Sequence, residues 1–434
     1  MSDLPSSTST PFVPVLPTGS AASPAPSRWQ NVLRFTGPGL LVSVGYMDPG
    51  NWATDIEAGS RFGPELLFVV GLTSLAAMLL QTLALRLGLV AHMDLARACR
   101  NRYGTVPNMA LWLLAEVAII ACDVAEVLGS ALALQLLFGV SLATGVMLTA
   151  FDTLFVLALR GRGFRQVEAI VLALVATVMG CFVVELLLVG PQWIEVANGF
   201  VPRLDSLRDP RALFLAVGIL GATVMPHNLY LHSALVQERQ LAVGAESLDT
   251  AVRMFTTDTL VSLSLALLVN AAILTLAASA FHGTGHTEVA EIQDAYHLLE
   301  PIVGMSLASL LFGVALLAAG QSSTVTGTIA GQVILEGFLN LKIPNWKRRL
   351  ITRGLALLPA LAGVLWLGDA GVGRVLVASQ VVLSLQLPFA IWPLLRFTGD
   401  RELMGRFANG LWLKAGGWSI FVLIVSANVW LMLR

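Results

Sequence analysis

Apolar runs long enough to cross a hydrocarbon core of ~30 Å recur between residues 36 and 433, divided by short segments that hold most of the charge. They predict eleven spans at about 36–62, 64–90, 107–137, 142–160, 165–189, 212–237, 252–280, 299–337, 349–368, 374–397 and 412–433. The run 299–337 exceeds one crossing and is expected to extend into an interfacial or cytoplasmic segment. Two predicted helices are interrupted in apolar surroundings, the first by Asp48-Pro49-Gly50-Asn51 and the sixth by Met225-Pro226-His227-Asn228.

With an odd number of spans, spans 1–5 and 6–10 form two five-helix halves of opposite orientation, about 36–189 and 212–397, and the last span, about 412–433, is appended. The first helix of each half is the broken one, and the breaks lie 177 residues apart, as one repeat length requires. Discontinuous helices at corresponding positions of inverted repeats point to a binding site near the bilayer midplane. A proline kink without function is the plain alternative for either break alone; the pairing, with polar side chains at both, argues against it.

Charge placement orients the chain. Alternating loops put 19 basic residues on one face, from Arg28 and Arg34 through Arg160 and Arg162 to Lys414, and six on the other, so the N-terminus is expected in the cytoplasm and the C-terminus outside. Only 12% of residues are charged and mean hydropathy is +0.78, against roughly 25% charged in soluble domains. The expected fold is therefore all-α and integral to the membrane: one domain over 31–434 behind a disordered cytoplasmic tail, 1–30, that lacks the apolar core of a signal peptide. A net charge of −1 gives no bulk electrostatic pointer to a nucleic-acid partner, and none is expected; Cys99, Cys122 and Cys181 have neither disulfide nor metal-cluster spacing.

The breaks carry the chemistry. Pro49 and Gly50 are expected to free carbonyls near residues 47–49, beside the anionic oxygen of Asp48 and the neutral one of Asn51. Pro226 frees the carbonyl of Ala222, while Met225 offers a thioether and His227 an imidazole. Oxygen-only shells suit Mg2+ and Ca2+, and a sulfur donor turns the preference towards softer transition metals, Mn2+ or Fe2+ with Cd2+, Co2+ or Zn2+ as competitors. The third span adds Glu116, Asp123 and Glu126 near one helical face. That row reads either as a chain of proton-exchange sites or as a structural ion-pair network with Arg353 of the ninth span. His227 and His232 are candidate proton relays; His282, His286, His297, Glu288 and Glu291 read as a solvated external loop.

Together DPGN in span 1, MPHN in span 6, AEVAIIACDVAEVLGSALAL in span 3 and GQSSTVTGTIAGQ in span 8 resemble the Nramp family of proton-coupled divalent-metal transporters, in its bacterial manganese branch. The resemblance covers the chain from about residue 31. It implies two inverted repeats of the amino-acid-transporter type in the inner membrane of a bacterium, and import of metal, with protons, as substrate rather than cofactor. It places the metal on Asp48, Asn51 and Met225, with the Ala222 carbonyl and Gln380 as conformation-dependent ligands. The proton route falls on His227, Asp123 and Glu126, with Glu116, Arg353 and His232 beside them. Mg2+- and Al3+-transporting relatives lack the methionine; this chain keeps it and departs in having Cys122 where threonine is usual. Function as a monomer is expected.

Three other readings are weighed at this level. A sodium-coupled amino-acid or amine carrier of the same architecture binds its substrate's carboxylate at helix N-termini, which a carboxylate and a thioether at the break disfavour. An intramembrane metalloprotease lacks support, since no HExxH pattern occurs; a channel would differ by flux and saturation.

Overall fold

The computed structural model describes residues 37–151, 164–243, 247–368 and 371–433. The expected tail, Arg28, Arg34, Arg160, Arg162 and the second half of the fourth span, from residue 152, lie outside the described residues. The regular elements of the described residues are all helices, with no strand among them, as a medium without water requires, because every backbone donor and acceptor must then be satisfied within its own segment.

The first span is two helices, α1 (Pro38–Gly45) and α2 (Pro49–Phe62). A short 3-10 turn at Gly63–Leu66 leads into α3 (Leu67–Ala91), followed by α4 (Leu95–Arg102), α5 (Thr105–Phe138) and α6 (Leu142–Thr149). Next come α7 (Phe164–Val189) and α8 (Trp193–Gly199), then the second broken span as α9 (Pro210–Val224) and α10 (Pro226–Val243). The remainder is α11 (Leu248–Ala280), α12 (Ile292–Val303), α13 (Ser306–Leu339), α14 (Asn345–Leu367), α15 (Val372–Thr398), α16 (Arg401–Met404) and α17 (Leu411–Met432).

Nine helical stretches among the described residues are long and apolar enough to cross a membrane. One of them, Pro49–Ala91, joins α2 to α3 across the 3-10 turn and so holds parts of two predicted spans. The long run 299–337 is corrected. Gly304, in a left-handed conformation (φ 75°), ends an amphipathic helix, and the 34-residue α13 starts afresh at Ser306.

The interior is built around the broken helices. The α11 helix packs along α1, α2 and α3, α13 lies against α5 and α7, and α9 packs on α15. Trp52 of α2 is fully buried, with Phe182 of α7 at 4.8 Å and Phe312 of α13 at 5.2 Å between ring centroids. The half-helix that starts at the first break is thereby held by aromatic contacts on two sides.

Candidate metal centre

Both breaks are built the same way and are tighter than the sequence implied. Only Tyr46, Met47 and Asp48 lie outside helix at the first, and only Met225 at the second. Pro49 and Pro226 each occupy the first helical position, where a missing amide hydrogen costs nothing and the ring presets φ. The residue before each proline is pushed out of the helical region. Asp48 sits at φ −72°, ψ 166° and Met225 at φ 2°, ψ 111°. Asp48 caps α2, its Oδ1 accepting from the Asn51 amide at 2.9 Å.

The expected free carbonyls at 47–49 are corrected. The Tyr46 carbonyl accepts from Asn270 Nδ2 at 2.8 Å and that of Met47 from the Trp52 indole at 3.3 Å. The Asp48 carbonyl accepts the amides of Asn51 and Trp52. Buried polar groups have found partners, leaving side chains as the donors at this break. At the second break, Pro226 has no amide hydrogen to offer the buried Ala222 carbonyl four residues upstream.

Gln380 joins the two. A β-carbon on Gly50 would collide with the Gln380 side-chain amide, and one on Gly221 with the Gln380 carbonyl. The glycines on α2 and α9 thus let α15 bring this side chain in between. Asp48 Oδ2, Asn51 Oδ1 and Gln380 Oε1 are buried acceptors without a hydrogen-bond partner. Buried Met225 packs with Ala118, Cys122 and Leu383, and its sulfur accepts from Asn228 Nδ2 at 3.7 Å. Among the described residues no group of three or more His, Cys, Asp or Glu is placed to hold a metal. The arrangement instead offers one carboxylate with neutral oxygen and sulfur donors, a set that can take a divalent cation and give it up again.

Arginines pair with the carboxylates of the acidic face of α5, with Asp123 Oδ2 left without a hydrogen-bond partner. Arg349 of α14 reaches Asp123 at 2.7 Å and Glu126 at 3.2 Å. Arg353 is 3.8 Å from Glu126 and donates to the Thr149 carbonyl, and Glu126 also accepts from Thr324 at 3.2 Å. Half-buried Glu116 accepts from Arg348 at 2.9 and 3.0 Å and from the Trp112 indole at 3.1 Å. The ion-pair network expected with Arg353 therefore exists, but Arg349 is its main cation. Arg348 and Arg349 are two of the 19 basic residues that charge placement assigns to one face; the signal available for this pairing is that Arg349 and Arg353 lie four residues apart on one face of a membrane helix.

His227 adjoins this network through sulfur. Its Nε2 lies 3.8 Å from Cys122 Sγ, which in turn is 3.9 Å from Glu126 Oε1. Cys122 therefore occupies the gap between the second break and the carboxylates. His232 belongs elsewhere, with its ring between Gln81 at 3.0 Å and Thr259 at 3.3 Å. Gln81 continues to the Tyr46 hydroxyl at 2.8 Å, beside the first break.

The loop that carries His282, His286, Glu288 and Glu291, expected to be solvated, is not simply so. Ser60, near the C-terminal end of α2, donates to the His286 carbonyl at 3.0 Å and accepts the Val289 amide at 2.9 Å, while its own carbonyl meets His282 Nδ1 at 3.0 Å. Glu291 accepts the Gly373 amide at the start of α15. Polar contacts thus fasten the loop to the two helices that carry Asp48 and Gln380. Burial pushes the Glu291 carboxyl up to about 6.

The family described as natural resistance-associated macrophage protein-like, Nramp, matches residues 39–434. The divalent metal cation transporter MntH 1 of Pseudomonas aeruginosa is 64% identical over 430 residues, 99% of this chain and 98% of that protein. The MntH divalent metal cation transporter of Ralstonia nicotianae is 60% identical over 99% of this chain and 97% of its own length. Among solved structures, the Eremococcus coleocola manganese transporter superposes with a TM-score of 0.86 at 39% identity, covering 94% of this chain and 87% of that one. MhsT in complex with L-phenylalanine superposes at 0.62 and 15% identity over 91% of this chain and 97% of its own, a likeness of fold alone.

Proposed function

The chain belongs to the Nramp family, a premise from which we propose that it imports divalent transition metal, Mn2+ and Fe2+ foremost, by alternating access with inward proton movement. One observation carries the reading: three buried acceptors, on Asp48, Asn51 and Gln380, have no partner where the two broken helices meet. Leaving such groups unsatisfied is costly, and a dehydrated cation satisfies all of them at once. Met225 supplies the soft ligand that separates transition metals from Ca2+ and Mg2+, and the Ala222 carbonyl completes the set in one conformation. The same acceptors argue against the carrier of carboxylate substrates that the MhsT likeness would suggest, because an anion would meet Asp48 and no donor set.

A proton taken up at Asp48 or His227 leaves through Cys122's neighbourhood to Glu126 and Asp123, with Arg349 and Arg353 stabilising whichever carboxylate is ionised and Glu116 lying towards the basic face. His232 supports this route only indirectly, through Gln81 and Tyr46. The preponderance of basic loops on one face supports a cytoplasmic N-terminus and an external C-terminus in the inner membrane. The membrane potential then favours entry of both cations by about 2.3 kcal/mol per charge per 100 mV. We further propose that one chain carries the whole route and works as a monomer.

Proteoliposomes loaded with a metal-sensing dye test the site. Asp48→Ala is expected to lower Mn2+ uptake by about a hundredfold or more, the loss of the only anionic ligand. Uptake equal to the parent's would remove Asp48 from the site. Recording internal pH at several imposed potentials in the same vesicles reads the proton flux.

A further inference from the structure

Two cavities adjoin each other at the end of the molecule that carries the basic loops. One, of about 410 Å³, is lined by Arg102, Tyr103, Arg396, Asp400, Lys414 and Trp418. Three cations face one carboxylate there, and Asp400 is already engaged by Arg102 at 2.8 Å. Arg396 and Lys414 are exposed, and neither has an ion pair among the described residues. The second, of about 440 Å³, has an almost wholly apolar lining that includes Tyr103, Pro107, Leu111, Pro388, Phe389 and Trp392.

Tyr103 lines both, so the basic pocket and the apolar groove are neighbours. An aromatic trio continues the wall between them. Trp392 meets Trp418 at 5.2 Å and Phe421 at 5.6 Å, so one face of the cluster borders the charged pocket and another the groove. The groove lies between α5 and α15, both membrane-crossing, and Phe389 and Trp392 are about half exposed, at 46% and 45%. An occupant must therefore carry an anion at one end and hydrocarbon at the other, with aromatic rings at the boundary. In a bilayer, that description fits the lipid itself.

We infer that this pair of cavities is a binding site for an anionic phospholipid of the leaflet on the basic-loop side. The phosphate sits among Arg396, Lys414 and Arg102, and one acyl chain lies in the groove between α5 and α15. Arg supplies fork-shaped donors to the phosphate and Lys a point charge. The bound lipid bridges the helix that holds the carboxylate row to the helix that holds Gln380.

The test uses the full chain purified in mild detergent and reloaded from micelles with equal phosphatidylglycerol and phosphatidylethanolamine, with bound lipid counted by native mass spectrometry. The parent is expected to retain one phosphatidylglycerol per chain, about tenfold over phosphatidylethanolamine. Combined Arg396→Gln and Lys414→Gln should lower phosphatidylglycerol retention about tenfold or more and abolish the preference. Ala110→Trp, which fills the groove from the exposed face of α5, should displace both lipids while leaving the charges in place; Phe389→Ala is a second groove variant should that one unfold. Retention unaffected by the charge changes would overturn the proposal. So would inorganic phosphate binding as tightly as the lipid, which would make this a free-anion site, or a dimer mass lost on Ala110→Trp, which would assign the groove to a second copy.

Discussion

The helix breaks and the arginine-laced face of α5 are both polar islands in an apolar protein, yet they are built on opposite plans. At the breaks, acceptors on Asp48, Asn51 and Gln380 are buried with nothing to accept from. On α5, Asp123, Glu126 and Glu116 are each matched by an arginine of α14. An island whose charges are paired contributes to the resting fold, whereas an incomplete one, its single carboxylate without a counter-charge, is finished by something that arrives. The difference separates a place for cargo from a place where charge is permanently balanced and can be redistributed.

Substitutions should pull the two apart. Asp48→Ala, expected to abolish uptake, should leave thermal unfolding in detergent unchanged or raise it, since the lost carboxylate has only its capping bond to the Asn51 amide. Arg349→Ala should do the reverse to stability: it strands buried Asp123, leaves buried Glu126 with only Arg353 and Thr324, and is expected to cost about 3–5 kcal/mol, read as a large drop in unfolding temperature. Equal unfolding temperatures for these two variants would erase the distinction.

Met225→Ala is a smaller perturbation within the incomplete island. It should retain Mn2+ uptake while relaxing discrimination against Ca2+ and Mg2+ by roughly tenfold, the order of a single ligand change. Competition assays with Ca2+ in proteoliposomes measure it, and a variant as selective as the parent would deny the sulfur its role. The smallest effect is expected outside the membrane. The fold raises the Glu291 carboxyl from 4.5 to about 6 and so favours its protonated form; that contribution is full below about 4.5 and is lost as pH rises through about 6. Amide exchange in the loop around Ser60's contacts, corrected for intrinsic rates, should therefore show a few-fold more protection at pH 5 than at pH 7, and Glu291→Gln should flatten the difference.

Much of this was legible in the chain because membrane helices leave few reasons for a proline beside a carboxylate or a thioether. The pairing of Asp48-Pro49 with Met225-Pro226 stood out against apolar sequence for that reason. Gln380 did not: in ASQVVLSLQLPFA a glutamine breaks no pattern, and its place between Gly50 and Gly221 depends on three helices distant in sequence. Arg349 was hidden by its neighbours, since Lys347 and Arg348 make the segment read as an interfacial anchor. The end of α12 at Gly304 went unseen because a single left-handed glycine does not interrupt hydropathy. The docking of the loop on Ser60 rests on backbone groups, which carry no signature in side-chain sequence.

The two prolines have a consequence beyond breaking helices. Each stands at the start of a half-helix whose positive end of the backbone dipole faces the interior, where a cation would be repelled. A proline in that position deletes the very amide hydrogen that would otherwise project into the cavity. Asp48 uses one carboxylate oxygen to quiet the Asn51 amide at the first of these ends. What looks like a hinge is therefore also a subtraction of donors, which turns the start of a helix, ordinarily a seat for anions, into ground that a metal ion can occupy.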